Sequence, residues 1–205
     1  MKQFLHLVLA LTLVIALFTG CGSTETGALD PGDQSPAETA ASETPNLVLS
    51  NPDGDTWTIL VYLCGTDLET NGGFASNNLQ EMAVADLPDK VSLIIETGGT
   101  QQWAIDGIDA AQIQRWKVAA ENLELVDSQP LANMGEAETL GSFLKWGVEN
   151  YPADKYMCLM WDHGGGSVAG IVVDELHDGD MLNLKELAQG ISMAGVQFEL
   201  VGFDA

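Results

Sequence analysis

The stretch Tyr156-Met157-Cys158-Leu159-Met160-Trp161-Asp162-His163-Gly164-Gly165-Gly166 constrains the fold of this chain more than any other. A continuous apolar run bounded by Gly reads as a strand buried on both faces, the kind found in a parallel sheet. The run ends abruptly in a histidine followed by three glycines. In open α/β sheets, ligand sites lie beyond the carboxyl ends of the strands. His163 is therefore expected where chemistry takes place, with glycines that let a substrate approach the backbone closely. The competing reading makes His163 an ordinary polar residue leaving a strand for a flexible loop, and the remaining chain decides between the two.

Three further runs have the same apolar character: Trp57 to Leu63, Val91 to Thr97, and Phe198 to Phe203. Helical spacing separates them. Leu79, Met82, Ala83 and Leu87 recur on one helix face after the first run, and Leu140, Phe143, Leu144 and Val148 do so before Tyr156. Asn133 with Glu136, and Asn183 with Glu186, are spaced as capping boxes that start helices. Leu187, Ala188 and Ile191 follow the second of these. Strands alternating with helices imply βαβ units and a mostly parallel sheet covered on both faces, an α/β fold. Residues 112–128 have the pattern of a β-hairpin (Ile113 to Val118, Leu123 to Val126) inserted after the second strand.

The first 20 residues stand apart from this pattern. Lys2 and the apolar run from Phe4 to Phe18 make a signal peptide, since the run falls short of the roughly 20 residues a membrane span needs. Phe18-Thr19-Gly20-Cys21 resembles the bacterial lipobox, where the signal is cut before a cysteine that is then lipidated. The expectation is an exported lipoprotein anchored to the cell membrane at Cys21, with ordinary secretion as the alternative. Residues 21–55 are rich in Thr, Ser, Ala, Gly and Pro and carry only acidic charges, the composition of a disordered tether. Residues 56–205 then form one domain of ordinary size.

Thirty acidic residues stand against seven basic ones, a formal net charge of −23. Such a balance argues against nucleic acid, or an anionic lipid surface, as a partner held by charge. A cationic substrate or calcium fits it better. Three cysteines make a poor disulfide framework. Cys64 and Cys158 lie in apolar strands and are expected in the core, although Cys64, at a strand end before Gly65, keeps a lesser claim as a nucleophile.

In a parallel sheet the carboxyl ends of the first, third and fourth runs present Cys64-Gly65-Thr66-Asp67, Asp162-His163-Gly164 and Phe203-Asp204-Ala205 along one edge. A strand ending in Asp-His-Gly, then a helix, then a strand ending in Phe-Asp-Ala, resembles the clostripain-like cysteine peptidases, relatives of caspases and gingipains. Trp57-Thr58-Ile59-Leu60-Val61-Tyr62-Leu63 and Asn77-Asn78-Leu79 are also similar to that family, so the resemblance runs from about Trp57 to Ala205. It implies a caspase-like αβα sandwich and cleavage after Arg or Lys by a His/Cys dyad. His163 matches the histidine, the N–H of Gly164 the oxyanion donor, and Asp204 an acid of the pocket for the basic side chain. The family's nucleophilic cysteine directly follows the position of Ala205, so the sheet is expected to be cut after its fourth core strand and the 205 residues alone to be inactive. The run Asp174 to Asp180 could hold calcium, which some members require, but it lacks EF-hand ligand order and is expected to be a solvated acidic loop. No other cofactor or metal is implied. With Lys185 the one basic residue between His163 and the chain end, and that within a helix, self-cleavage there is not expected.

Two rivals remain. His163-Gly164-Gly165-Gly166 also matches the oxyanion motif of some lipases, but no Gly-x-Ser-x-Gly elbow accompanies it, and Gly165-Gly166-Ser167-Val168-Ala169 has Ala last. The other is a catalytically inactive, surface-tethered module that binds basic peptides.

Overall fold

A strand with hardly a polar side chain needs cover on both faces, and Trp57–Cys64 (β1) lies inside the sheet rather than at its edge. The computed structural model describes residues 54–205. The expected signal peptide, the lipidation site at Cys21 and the tether as far as residue 53 lie outside the described residues. After β1 come α1 (Thr66–Gly72), α2 (Phe74–Ala83), β2 (Val91–Gly98), β3 (Gln112–Ala119) and β4 (Asn122–Pro130). They are followed by α3 (Ala137–Asn150), β5 (Lys155–Trp161), α4 (Gly166–Ala169), β6 (Ile171–Asp174), β7 (Asp180–Leu182), α5 (Leu184–Met193) and β8 (Leu200–Asp204).

The main sheet runs β4-β3-β2-β1-β5-β8. Its four expected strands form one parallel block, with β1 paired to β2 and β5, and β5 to β8. The expected hairpin is β3–β4, added antiparallel to the edge of β2. Strand side chains alternate between faces. Leu60, Tyr62, Ile94, Cys158 and Met160 meet Leu140, Phe143 and Leu144 of α3 and Leu187 of α5 on one face. Val61, Leu63, Leu93 and Ile95 meet Ala75 and Leu79 of α2 on the other. This is the α/β sandwich the sequence pattern implies.

Local departures have identifiable causes. Asn183 and Glu186 do form a capping box at the start of α5. Asn133 and Glu136 do not: Glu136 is itself the cap of α3, without a side-chain hydrogen bond. Asn133 is taken instead by Asp180, to which its amide donates at 2.7 Å, and by the N–H of Gly135. Leu87 lies beyond the end of α2 yet still packs on the core from its loop. The acidic run Asp174 to Asp180, expected as a solvated loop, is a structured turn between β6 and β7, buried at Asp174 and exposed from Asp178 to Asp180. Asp174 is fully buried; its carboxylate accepts the N–H groups of Met134 and Leu176 and lies 3.0 Å from Nδ1 of His177. Glu175 accepts the hydroxyl of Thr70 and both the backbone and side-chain N–H of Gln101. Among the described residues no three His, Cys, Asp or Glu side chains gather as a metal site.

Candidate active site

From β1 the chain adds β2 on one side and later places β5 on the other. Strand order thus reverses between β1 and β5, and a crevice opens beyond the carboxyl ends of strands at such a point. His163 leaves β5 there, and Asp67 leaves β1 opposite it. Their side chains, each about half exposed, meet with Nε2 of His163 2.8 Å from Oδ1 of Asp67. That hydrogen bond holds the Asp67 carboxyl below the usual carboxylate range. At the end of β5, Trp161 donates its indole N–H to Asn78 of α2 at 2.9 Å.

The backbone of His163 is fixed from two sides. Asp162 is buried, and its carboxylate accepts the N–H of His163 and that of Val173, each at 2.5 Å. Burial pushes this carboxyl up to about 6. Val172 is the extra residue of a bulge between β6 and β7 and sits at φ 64, a left-handed conformation that β-branched residues rarely adopt. Its N–H donates to the carbonyl of His163 at 3.2 Å.

Gly164 forms an antiparallel bridge with Ile171. The hydrogen bonds that close it run from Gly165 to Gly170 and from Val172 to His163. Gly164 lies between these two bonds, so its own N–H turns away from β6, as in any pair of this kind. A Cβ added at Gly164 would come within 3.0 Å of the Cβ of Ala205. The atom such a Cβ would crowd is the side-chain carbon of Ala205, at the end of the chain that follows β8. The end of β8 is drawn to the same place: Asp162 donates its N–H to the carbonyl of Asp204 at 3.2 Å, while Asp204 itself is exposed. All three expected residues, His163, Gly164 and Asp204, thus lie at one edge of the sheet.

Asp67 lies at this edge too, where the sequence pattern assigns it no role. Thr66, before it, is buried at φ 45 and held by hydrogen bonds to Gly99 and Thr100. Gly65 leaves no room for a side chain, since a Cβ would lie 2.8 Å from Thr100. Glu69, also buried, accepts the N–H groups of Ser76 and Ala104 at 2.8 and 2.7 Å and the hydroxyl of Ser76. These bonds lock α1 to the loop after β2, and Asp67 with it.

Neither described cysteine is suited to attack. Cys64 is fully buried, its thiol faces the carbonyl of Val173 at 3.3 Å, and burial pushes it well up. Burial also pushes Cys158 up to about 12. The thiolate is the nucleophile, so the lesser claim of Cys64 falls. Both thiols should resist a water-soluble disulfide reagent in the native protein and react once it is unfolded, with peptide mapping to locate the label.

Comparison with known proteins bears on the family and the fold. The clostripain family matches residues 61–205, well over half of the chain. Clostripain from Hathewaya histolytica is 27% identical over 135 residues, covering 58% of this chain and 25% of clostripain. A secreted C11 cysteine protease from Bacteroides thetaiotaomicron, solved with an irreversible peptide inhibitor, superposes with a TM-score of 0.57 at 19% identity. The match covers 73% of this chain and 42% of that one. An inactive zymogen C11 protease from Parabacteroides distasonis gives a TM-score of 0.55 at 21% identity, over 74% of this chain and 42% of its own. At these identities the two structures speak for the caspase-like fold. The chain spans a quarter of the curated relative and under half of the solved structures. With the match running from within β1 to Ala205, the chain belongs to the clostripain family.

Proposed function

We propose that the protein is a cysteine endopeptidase that cleaves after Arg or Lys, with His163 and a cysteine directly following Ala205 as its catalytic pair. The observation that carries this reading is the approach of Ala205 to Gly164, 3.0 Å between the Cβ of one and the Cβ position of the other. Consecutive Cα atoms are about 3.8 Å apart, so the next residue would enter the crevice beside His163 and the N–H of Gly164 that turns away from β6. His163 takes the thiol proton, and the thiolate attacks the scissile carbonyl. The N–H of Gly164 receives the developing oxyanion. His163 then returns its proton to the departing amine, leaving a thioester for water to hydrolyse.

Asp204, exposed at the end of β8, gives a basic side chain a charge-assisted partner. Substrates on this reading are proteins or peptides bearing Arg or Lys. The signal peptide and Cys21 support export with a lipid anchor at the membrane, in keeping with the secreted protease of Bacteroides.

The test begins with the coding sequence beyond Ala205 and the intact native product. A cysteine at the next position should be alkylated by iodoacetamide, and the protein should hydrolyse Arg and Lys amides while sparing Glu and Ala ones. Asp204→Asn should lower kcat/KM for the basic substrates by about 10- to 100-fold, the value of one charge-assisted contact. A native product with no cysteine there, or none of this hydrolysis, would point to the inactive module that binds basic peptides.

A further inference from the structure

We propose that Asp67 is a positioning residue for His163: its carboxylate holds the proton on Nε2 and so leaves Nδ1 as the nitrogen that exchanges protons during the reaction. This rests on the peptidase reading of the site and adds the residue that orients its histidine.

Nε2 lies 2.8 Å from Oδ1 of Asp67. An ionised carboxylate only accepts, so the ring nitrogen facing it carries hydrogen. In the neutral ring the other nitrogen, Nδ1, then has the lone pair. It takes the thiol proton, giving an imidazolium with hydrogen on both nitrogens, and the same proton leaves from Nδ1 to the amine. The Nε2 hydrogen stays with Asp67 throughout.

A pair this exposed would ordinarily be one of many loose surface contacts. Here the backbone is constrained at both ends. Thr66, next to Asp67, and Val172, bonded to the carbonyl of His163, are both non-glycine residues at positive φ, the former buried within its loop contacts and the latter wholly buried. Such conformations persist where the surrounding structure over-determines them, and they gather at functional sites. Glu175, in the turn after β6, grips Thr70 and Gln101, so the element that carries Val172 is tied to the helix that carries Asp67. The two sides of the contact are held as one unit.

The acids tied to His163 are Asp67 on α1, bonded to its ring, and Asp162 at the end of its own strand, bonded to its backbone N–H. Asp162 uses both carboxylate oxygens on backbone N–H groups, and Glu175 is engaged by Thr70 and Gln101. Asp67 is the acid with a hydrogen bond to the ring.

The experiment uses the full-length protein with Asp67→Ala and Asp67→Asn, read by steady-state kinetics on an Arg amide and by ¹⁵N NMR of the His163 ring. Asp67→Ala should lower kcat about 10- to 100-fold with KM within twofold, a part of the roughly 10²- to 10⁴-fold that the general acid–base residue it positions contributes. Asn keeps an oxygen acceptor for Nε2–H and should restore part of that loss. In the Ala variant the Nε2–H tautomer of His163 should lose its preference, because the acceptor that holds that hydrogen is gone. Unchanged kcat with an unchanged ring tautomer would overturn the assignment, as would a rise in activity, which would make the contact inhibitory. The NMR arm needs no turnover. An inactive wild type would therefore count against the peptidase reading alone, and the ring tautomer would still decide the role of Asp67.

Discussion

Full-length protein carrying His163→Ala is expected to hydrolyse Arg and Lys amides about 10³-fold more slowly than wild type, within the span that a general acid–base residue contributes. The loss should fall on kcat, because the histidine acts on protons that move in the transition state and not on the basic side chain that selects the substrate. Half exposed and, among the described residues, bonded through its ring only to Asp67, the imidazole contributes little to packing. The variant should therefore keep the far-ultraviolet circular dichroism and the melting temperature of wild type to within a few degrees. On the proposed mechanism, alkylation of the cysteine expected after Ala205 should slow as well, since the imidazolium that stabilises its thiolate is gone. Undiminished turnover would remove His163 from the mechanism, whatever its place in the fold. A loss accompanied by unfolding would be answered with His163→Gln, which keeps a polar side chain of similar reach.

What the sequence makes legible, and what it hides, follows from the range of the interactions. β1, β2 and β5 can be read because burial on both faces demands an unbroken apolar run, a local signal. The crevice follows from them, since strands joined by helices run parallel and bring their carboxyl ends to one edge. His163 and Gly164 were legible for that reason. The small β6–β7 sheet was not, having strands of four and three residues with a bulge at Val172 that breaks alternation. Helix α1 was missed because Thr66–Gly72 contains one large apolar residue, Leu68, too few for a helical stripe. Asn133 misled in the same way: three residues from Glu136 it has the spacing of a cap, but Asp180, 47 residues on, claims its side chain. The contact between Asp67 and His163 spans 96 residues, and no pattern in one strand foretells it.

Removing the charge of Arg115 should have the largest effect on stability. Arg115 is buried in β3 between register partners Glu96 of β2 and Asp127 of β4. Its Nε donates to Glu96 at 2.7 Å and a terminal nitrogen to Asp127 at 3.0 Å. The guanidinium also stacks over Trp146 of α3, 4.7 Å from the ring centre. Glu96 is wholly buried, with Oε1 lacking a hydrogen-bond partner among the described residues. Breaking a buried pair by deleting one member costs about 3–5 kcal/mol, and Arg115→Ala should lose that much in denaturant unfolding. The loss should depend on pH. Burial raises Glu96 from 4.5 to about 7, against the pull of Arg115. Between those values the folded protein keeps a proton that the unfolded chain releases, so stability from this group is greatest below 4.5 and declines as pH rises towards 7. Without Arg115 the carboxyl rises further and the decline continues to higher pH. The variant should thus fall further behind wild type at pH 8 than at pH 5. Replacing both residues with Met removes the buried charges together and should return most of the stability. A deficit equal at both pH values, and unrelieved in the double variant, would assign the loss to the stacking on Trp146 and not to the buried carboxylate.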